Sequence, residues 1–146
     1  MNDASAGYFF EDLSIGMSAE ISRTVTSDDI EHFAAAVGDF NPIHVDEAWA
    51  QQTRFKGRIA HGMLTGGLIS SVLGTRLPGL GAIYVRQTLE FHAPVRPETV
   101  VNSHVCITRL DPTRNRVYLE TTCTCEGTTV LSGEAVLLVK SHVRPI

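Results

Sequence analysis

No stretch of this chain is apolar for long enough to cross a bilayer comfortably. The longest, near Met63–Leu77, is interrupted by glycines and hydroxyls. Residues Asn2–Ser14 lack a basic region followed by an apolar core, so no secretory signal is expected. Cysteine is sparse and odd in number. Cys106, Cys123 and Cys125 lie in what read as strands, without the paired spacing of a zinc site, and read as small buried or half-buried thiols. These absences lead to the expectation of a reducing, cytoplasmic setting with no membrane partner.

Clustered basic charge is missing too. Sixteen acidic residues outnumber twelve basic ones for a net charge of −4, which argues against broad electrostatic capture of nucleic acid. One local basic spot, Arg54, Lys56 and Arg58, is either a solvated face or a place to hold an anionic ligand. There is no low-complexity run. With 146 residues, 43% hydrophobic and 19% charged, the chain reads as one folded domain over 1–146 with a substantial core.

Met17–Val25 alternates as a strand does, entered through a turn at Ser14-Ile15-Gly16. Thr26 and Ser27 offer hydroxyl caps, and Asp28 and Asp29 place negative charge at a helix start. Ile30, Phe33, Ala34 and Val37 then share a helical face as far as Gly38. Pro42 disfavours helical geometry at Asn41 and donates no backbone hydrogen bond, so Asp39–His44 is expected to be an irregular turn. Asp46 can cap a short helix through Trp49, and a polar loop, Gln51–Arg58, follows.

A second helix is expected over Gly62–Arg76, stopped by Leu77-Pro78-Gly79 and about 22 Å long at the standard rise. It is apolar on nearly all sides, the mark of a buried helix. Gly66, Gly67 and Gly74 each weaken its intrinsic helicity by ~1 kcal/mol, so close packing must compensate. The wrapper is read in Ile83–His92, Thr99–Leu110, Arg116–Glu126 and Thr129–Lys140, β-rich runs separated by short turn segments. The short gaps favour an antiparallel meander. The fold class expected is α+β, a sheet of about five strands curled around one helix.

Asp39 and His44 stand five residues apart across the Pro42 turn, close enough to converge on one water and move protons to and from it. Equally, Asp39 can cap turn amides and His44 can sit half-buried and satisfied. Gly62 opens the apolar helix, where an amide without an intrahelical acceptor can meet a developing negative charge, worth ~3 kcal/mol to a transition state. It can also simply relieve crowding against the sheet. Ser70, near two turns on, shares that face or bonds back to its own helix. His61 precedes the helix and reads more as an orienting than a reacting group. The six histidines show no HExxH spacing, and no metal is expected.

The segments "GDFNPIH" and "RIAHGMLTGGLISSVLGTRLPGLGAIYVRQTLEFHAPV" together resemble the MaoC-like (R)-specific enoyl-CoA hydratases of the polyhydroxyalkanoate type, with a single hot-dog domain. The resemblance runs from Phe10 to Val139 and is strongest over Gly38–Val95. It implies (R)-specific hydration of trans-2-enoyl-CoA, with Asp39 and His44 as catalytic dyad and the Gly62 amide as oxyanion donor. It also implies Asn41 as support for the loop and Ser70 lining the substrate site. An acyl-CoA thioester is then the substrate partner, no cofactor is required, and a homodimer is expected because a lone sheet leaves an unpaired edge. A hot-dog thioesterase or carrier-protein dehydratase is disfavoured by the lack of Asp or Glu in Met63–Arg76. A non-catalytic acyl-CoA binding module has no need of a proton-transfer pair.

Overall fold

The computed structural model of the chain describes residues 6–144, so the first part of Asn2–Ser14 lies outside the described residues. Strand β1 (Ser18–Val25) is entered through the turn at Gly16, whose positive φ of 95° suits glycine. Helix α1 (Ser27–Val37) begins at a reciprocal cap: the Thr26 hydroxyl accepts from the Asp29 amide, and the Asp29 carboxylate accepts from the Thr26 amide, both at 3.0 Å. Those bonds hold the Asp29 carboxyl below its ordinary pKa, with Arg23 adding to the effect. The helix ends on Gly38 in the left-handed conformation, its N–H donating to the Ala34 carbonyl.

Beyond Gly38 the structure corrects the expectation of an irregular turn. Pro42 is the first residue of a one-turn helix, α2 (Pro42–Val45), with Asn41 as its cap. Its ring is preorganised to start a helix, because the first turn needs no donor from it. Asp46 caps α3 (Glu47–Ala50) by accepting from the Trp49 amide. Val37 shares the face of Ile30 and Ala34 but, as the last residue of the helix, is 58% exposed.

Helix α4 (Gly62–Thr75) ends one residue before the expected Arg76. It lies against β4 (Thr99–Asp111), β5 (Arg116–Cys125) and β1. Ile69, Val72 and Leu73 are fully buried there, each worth about 1.5–3 kcal/mol. Its outer face is open in the single chain, with Met63 59% exposed, so the sheet covers one side of a helix whose composition reads as buried all round.

Strands β2 (Ile83–Gln87), β3 (Glu90–Phe91) and β6 (Thr128–Leu138) complete one antiparallel sheet in the order β1-β4-β5-β6-β2, with β3 also on β6. The β4-β5-β6 meander is as expected. The run Ile83–His92 is divided, giving six strands rather than five. The division falls where Thr88 presses against Gly133 so closely that a Cβ there would collide with the Thr88 carbonyl. Cys123 and Cys125 are buried in β5 and Cys106 is half-buried in β4, all as free thiols.

Candidate active site

The Gly38–Ala60 segment overhangs one end of α4 and is held by side-chain hydrogen bonds rather than by a core of its own. The Asn41 carboxamide oxygen accepts from the Ile43 amide at 3.3 Å, while the Asn41 amide donates to the Asp39 carboxylate at 3.2 Å. Asn41 thus shapes the turn on which both Asp39 and His44 ride. Arg58, only 15% exposed, donates to the His44 carbonyl (3.3 Å) and the Ser27 hydroxyl (3.2 Å) and pairs with Glu47 (3.5 Å) and Glu31 (4.0 Å). The basic trio therefore divides. Arg58 knots α1, α2 and α3 together, whereas Arg54 lines the cavity beside His44, its guanidinium over the Phe55 ring.

Ile59 returns the chain to α2: its N–H donates to the Ile43 carbonyl at 3.2 Å, and its carbonyl accepts from His44 Nδ1 at 2.7 Å. A carbonyl can only accept, so Nδ1 carries the ring proton and Nε2 keeps a lone pair for the cavity that His44 lines. Burial is the main cause of a lowered His44 pKa. The Ile59 bond and Asp39 act the other way, and nearby His61 adds to the lowering.

His61 is buried beneath the pair. Its Nε2 donates to the Asp39 carbonyl at 3.0 Å, and its ring stacks on that of His44 with centroids 3.9 Å apart. Asp39, His44 and His61 each offer a ligating atom, all within 4.8 Å of one another. The two imidazoles nevertheless stack, their planes only 29° apart, so their in-plane lone pairs run side by side instead of converging. One nitrogen of each ring is also committed to a carbonyl, which makes the cluster a poor metal cradle.

Gly62 is the first residue of α4, and the amides of Leu64 and Thr65 both return to the His61 carbonyl. The Gly62 amide precedes them, among the helix donors that have no intrahelical acceptor. A Cβ at Gly62 would lie 2.7 Å from the Phe91 ring. Relief of crowding and an available donor therefore coexist at one residue.

His44 and Gly62 line one cavity of about 530 Å³, closed by Phe55, Thr65, Phe91 and Val130. Asp39 and Asn41 do not line this cavity; the Asp39 carboxylate lies within 4.8 Å of a His44 ring nitrogen. Ser70 is not brought into this cavity: it opens into a neighbouring groove of about 400 Å³ with Gly66, Gly67, Tyr84 and Leu89, which adjoins the first at Met63. The contributions of Phe91 and Val130 carry no local sequence signal, since they reach the cavity only through strand pairing.

A family model described as MaoC like domain matches residues 13–128. The (R)-specific enoyl-CoA hydratase of Rhodospirillum rubrum is 52% identical over 135 residues, covering 92% of this chain and 94% of that protein. The 3-hydroxybutyryl-CoA dehydratase of Methylorubrum extorquens is 48% identical over 131 residues, covering 90% and 83%. Among solved structures, the unliganded R-hydratase PhaJ1 from Pseudomonas aeruginosa superposes with a TM-score of 0.88 at 39% identity, over 93% of this chain and 88% of that one.

Proposed function

The chain belongs to the MaoC-like domain family, and from that premise we propose that it hydrates trans-2-enoyl-CoA reversibly to (R)-3-hydroxyacyl-CoA in one hot-dog domain over 1–146. The observation that carries the chemistry is His44. Its Nδ1 is tied to Ile59, which leaves Nε2 as the nitrogen able to accept a proton, and His44 and Gly62 line the same cavity. Water oxygen bonds to C3 while one water proton passes to His44 Nε2, and the Asp39 carboxylate holds the second hydrogen. The C2–C3 π electrons move onto the thioester oxygen, which the Gly62 amide stabilises as it gains charge. Collapse of the enolate takes a proton onto C2 from the dyad. Both proton transfers use side chains of the protein, so the step calls for neither metal nor redox cofactor.

A second copy of the chain covers the edge strand β2 and the open face of α4, in keeping with the exposure of Ile83 and Val85 there. Light scattering at micromolar concentration should report a dimer, and a monomer alone would contradict it. The three free thiols fit a reducing compartment, for which we take the cytoplasm, and no helix among the described residues is long and apolar enough to cross a membrane.

Loss of enoyl-conjugate absorbance with crotonyl-CoA and longer homologues, followed by chiral analysis of the product, tests the reading. No response at any chain length would overturn it. An (S) product would remove the stereochemical part alone.

A further inference from the structure

One buried side chain touches every part of the reacting group without entering the reaction. His61 is 2% exposed. Its Nε2–H donates to the Asp39 carbonyl, its ring covers one face of His44, and Phe33 packs beside it with ring centroids 4.9 Å apart. It is bonded directly to Gly62, and its own carbonyl receives the first hydrogen bonds of α4. Its Nδ1 is buried and has no partner among the described residues. An acceptor left in that state works against folding, and an apolar side chain of similar size fills such a position without that cost. Packing alone does not account for a histidine here.

Two freedoms need removing at this site. His44 is held by one ring hydrogen bond, about which an imidazole can turn, and the stacked face of His61 blocks that rotation. Asp39 follows the left-handed Gly38 on an exposed stretch between two helices, where the His61 bond ties down its carbonyl. We propose that His61 is a positioning residue for the hydration, holding the Asp39 backbone and the His44 ring in register with the Gly62 amide. This rests on the function proposed above.

The test compares His61→Leu with His61→Gln, whose amide nitrogen can occupy the place of Nε2 and donate to the Asp39 carbonyl. With crotonyl-CoA, His61→Leu should lower kcat on the order of 100-fold, the scale of a misplaced reacting group, with KM within about twofold. Its Tm should be equal or higher. His61→Gln should recover roughly tenfold of that loss. Wild-type kcat in His61→Leu, or equal losses in both variants, would overturn the proposal, as would a fall in Tm with kcat of the folded protein intact.

A wild-type protein that hydrates nothing defeats the function, whereas the hold of His61 on the His44 ring is tested separately, because long-range proton–nitrogen correlation spectra read the imidazoles without turnover. They should show His61 protonated at Nε2 and His44 at Nδ1, with the His44 signals altered in His61→Leu. A His61 protonated only at Nδ1, or His44 signals unchanged in that variant, would overturn it.

Discussion

The overhang Gly38–Ala60 and the helix α4 meet at the cavity and are positioned by opposite means. In the overhang, side chains make the structure: Asn41, Asp46 and Arg58 each bond a backbone group of a neighbouring turn, and Arg58 also reaches side chains of α1 and α3. In α4 the missing side chains matter as much as those present. Gly62 admits Phe91 and Gly66 admits Leu89, while Ile69, Val72 and Leu73 anchor the helix by burial. Hydrogen bonds fix direction, which a proton-transfer pair needs. Burial and missing side chains fix distance and shape, which a thioester and its acyl chain need.

That contrast is broken most severely in the overhang. His44→Ala should lower kcat for crotonyl-CoA by ~10³-fold, and Asp39→Asn by a similar factor, with the circular dichroism spectrum unchanged. Near-wild-type turnover in either would remove the dyad. On the helix side, Gly62→Ala keeps the amide but drives a methyl toward Phe91, and a loss of ~10²-fold is expected. If crowding is the cause, adding Phe91→Leu should restore part of that activity. No restoration would place the whole effect on the donor itself.

The acid limb of kcat/KM is the next effect in size, about tenfold per pH unit. Burial lowers the His44 pKa, so the ring stays neutral and able to accept a proton below pH 6.5, and the limb should lie under that value. Stability follows the same sign. The unfolded chain binds this proton more readily, so the His44 contribution is present above 6.5 and lost as pH falls through the lowered folded pKa. A limb above 6.5 would contradict the assignment of His44 as base. The smallest effect is expected from Ser70→Ala, which opens into the neighbouring groove: turnover of a four-carbon substrate should change by no more than about twofold.

Local chemistry made α1 and α4 legible in the sequence. The Thr26–Asp29 cap, the Gly38 stop and the Leu77-Pro78-Gly79 stop all act within a few residues of themselves. Pro42 suits either a turn or the first residue of a helix, and the Asn41 cap decides between them. The break between β2 and β3 depends on Thr88 meeting Gly133, a contact between distant stretches with no local mark. For α4, composition reports apolarity but not how much apolar surface one chain can cover. Within the candidate site, residue type and spacing leave Asp39, His44 and Gly62 open between local structural and chemical roles, and the family resemblance singles them out. The stacking of His61 on His44 joins two turns that only the fold brings together.

The paired bonds between Ile59 and α2 clasp the two ends of the intervening loop, with the Ile59 amide on the Ile43 carbonyl and His44 on the Ile59 carbonyl. What happens to the length or sequence of Gln51–Lys56 is thereby insulated from the reacting atoms. Yet Arg54 and Phe55, in the middle of that loop, form part of the cavity wall. The molecule thus keeps a replaceable wall beside a clasped histidine, so that insertion, deletion or grafting there would reshape the cavity while the His44 ring stays held.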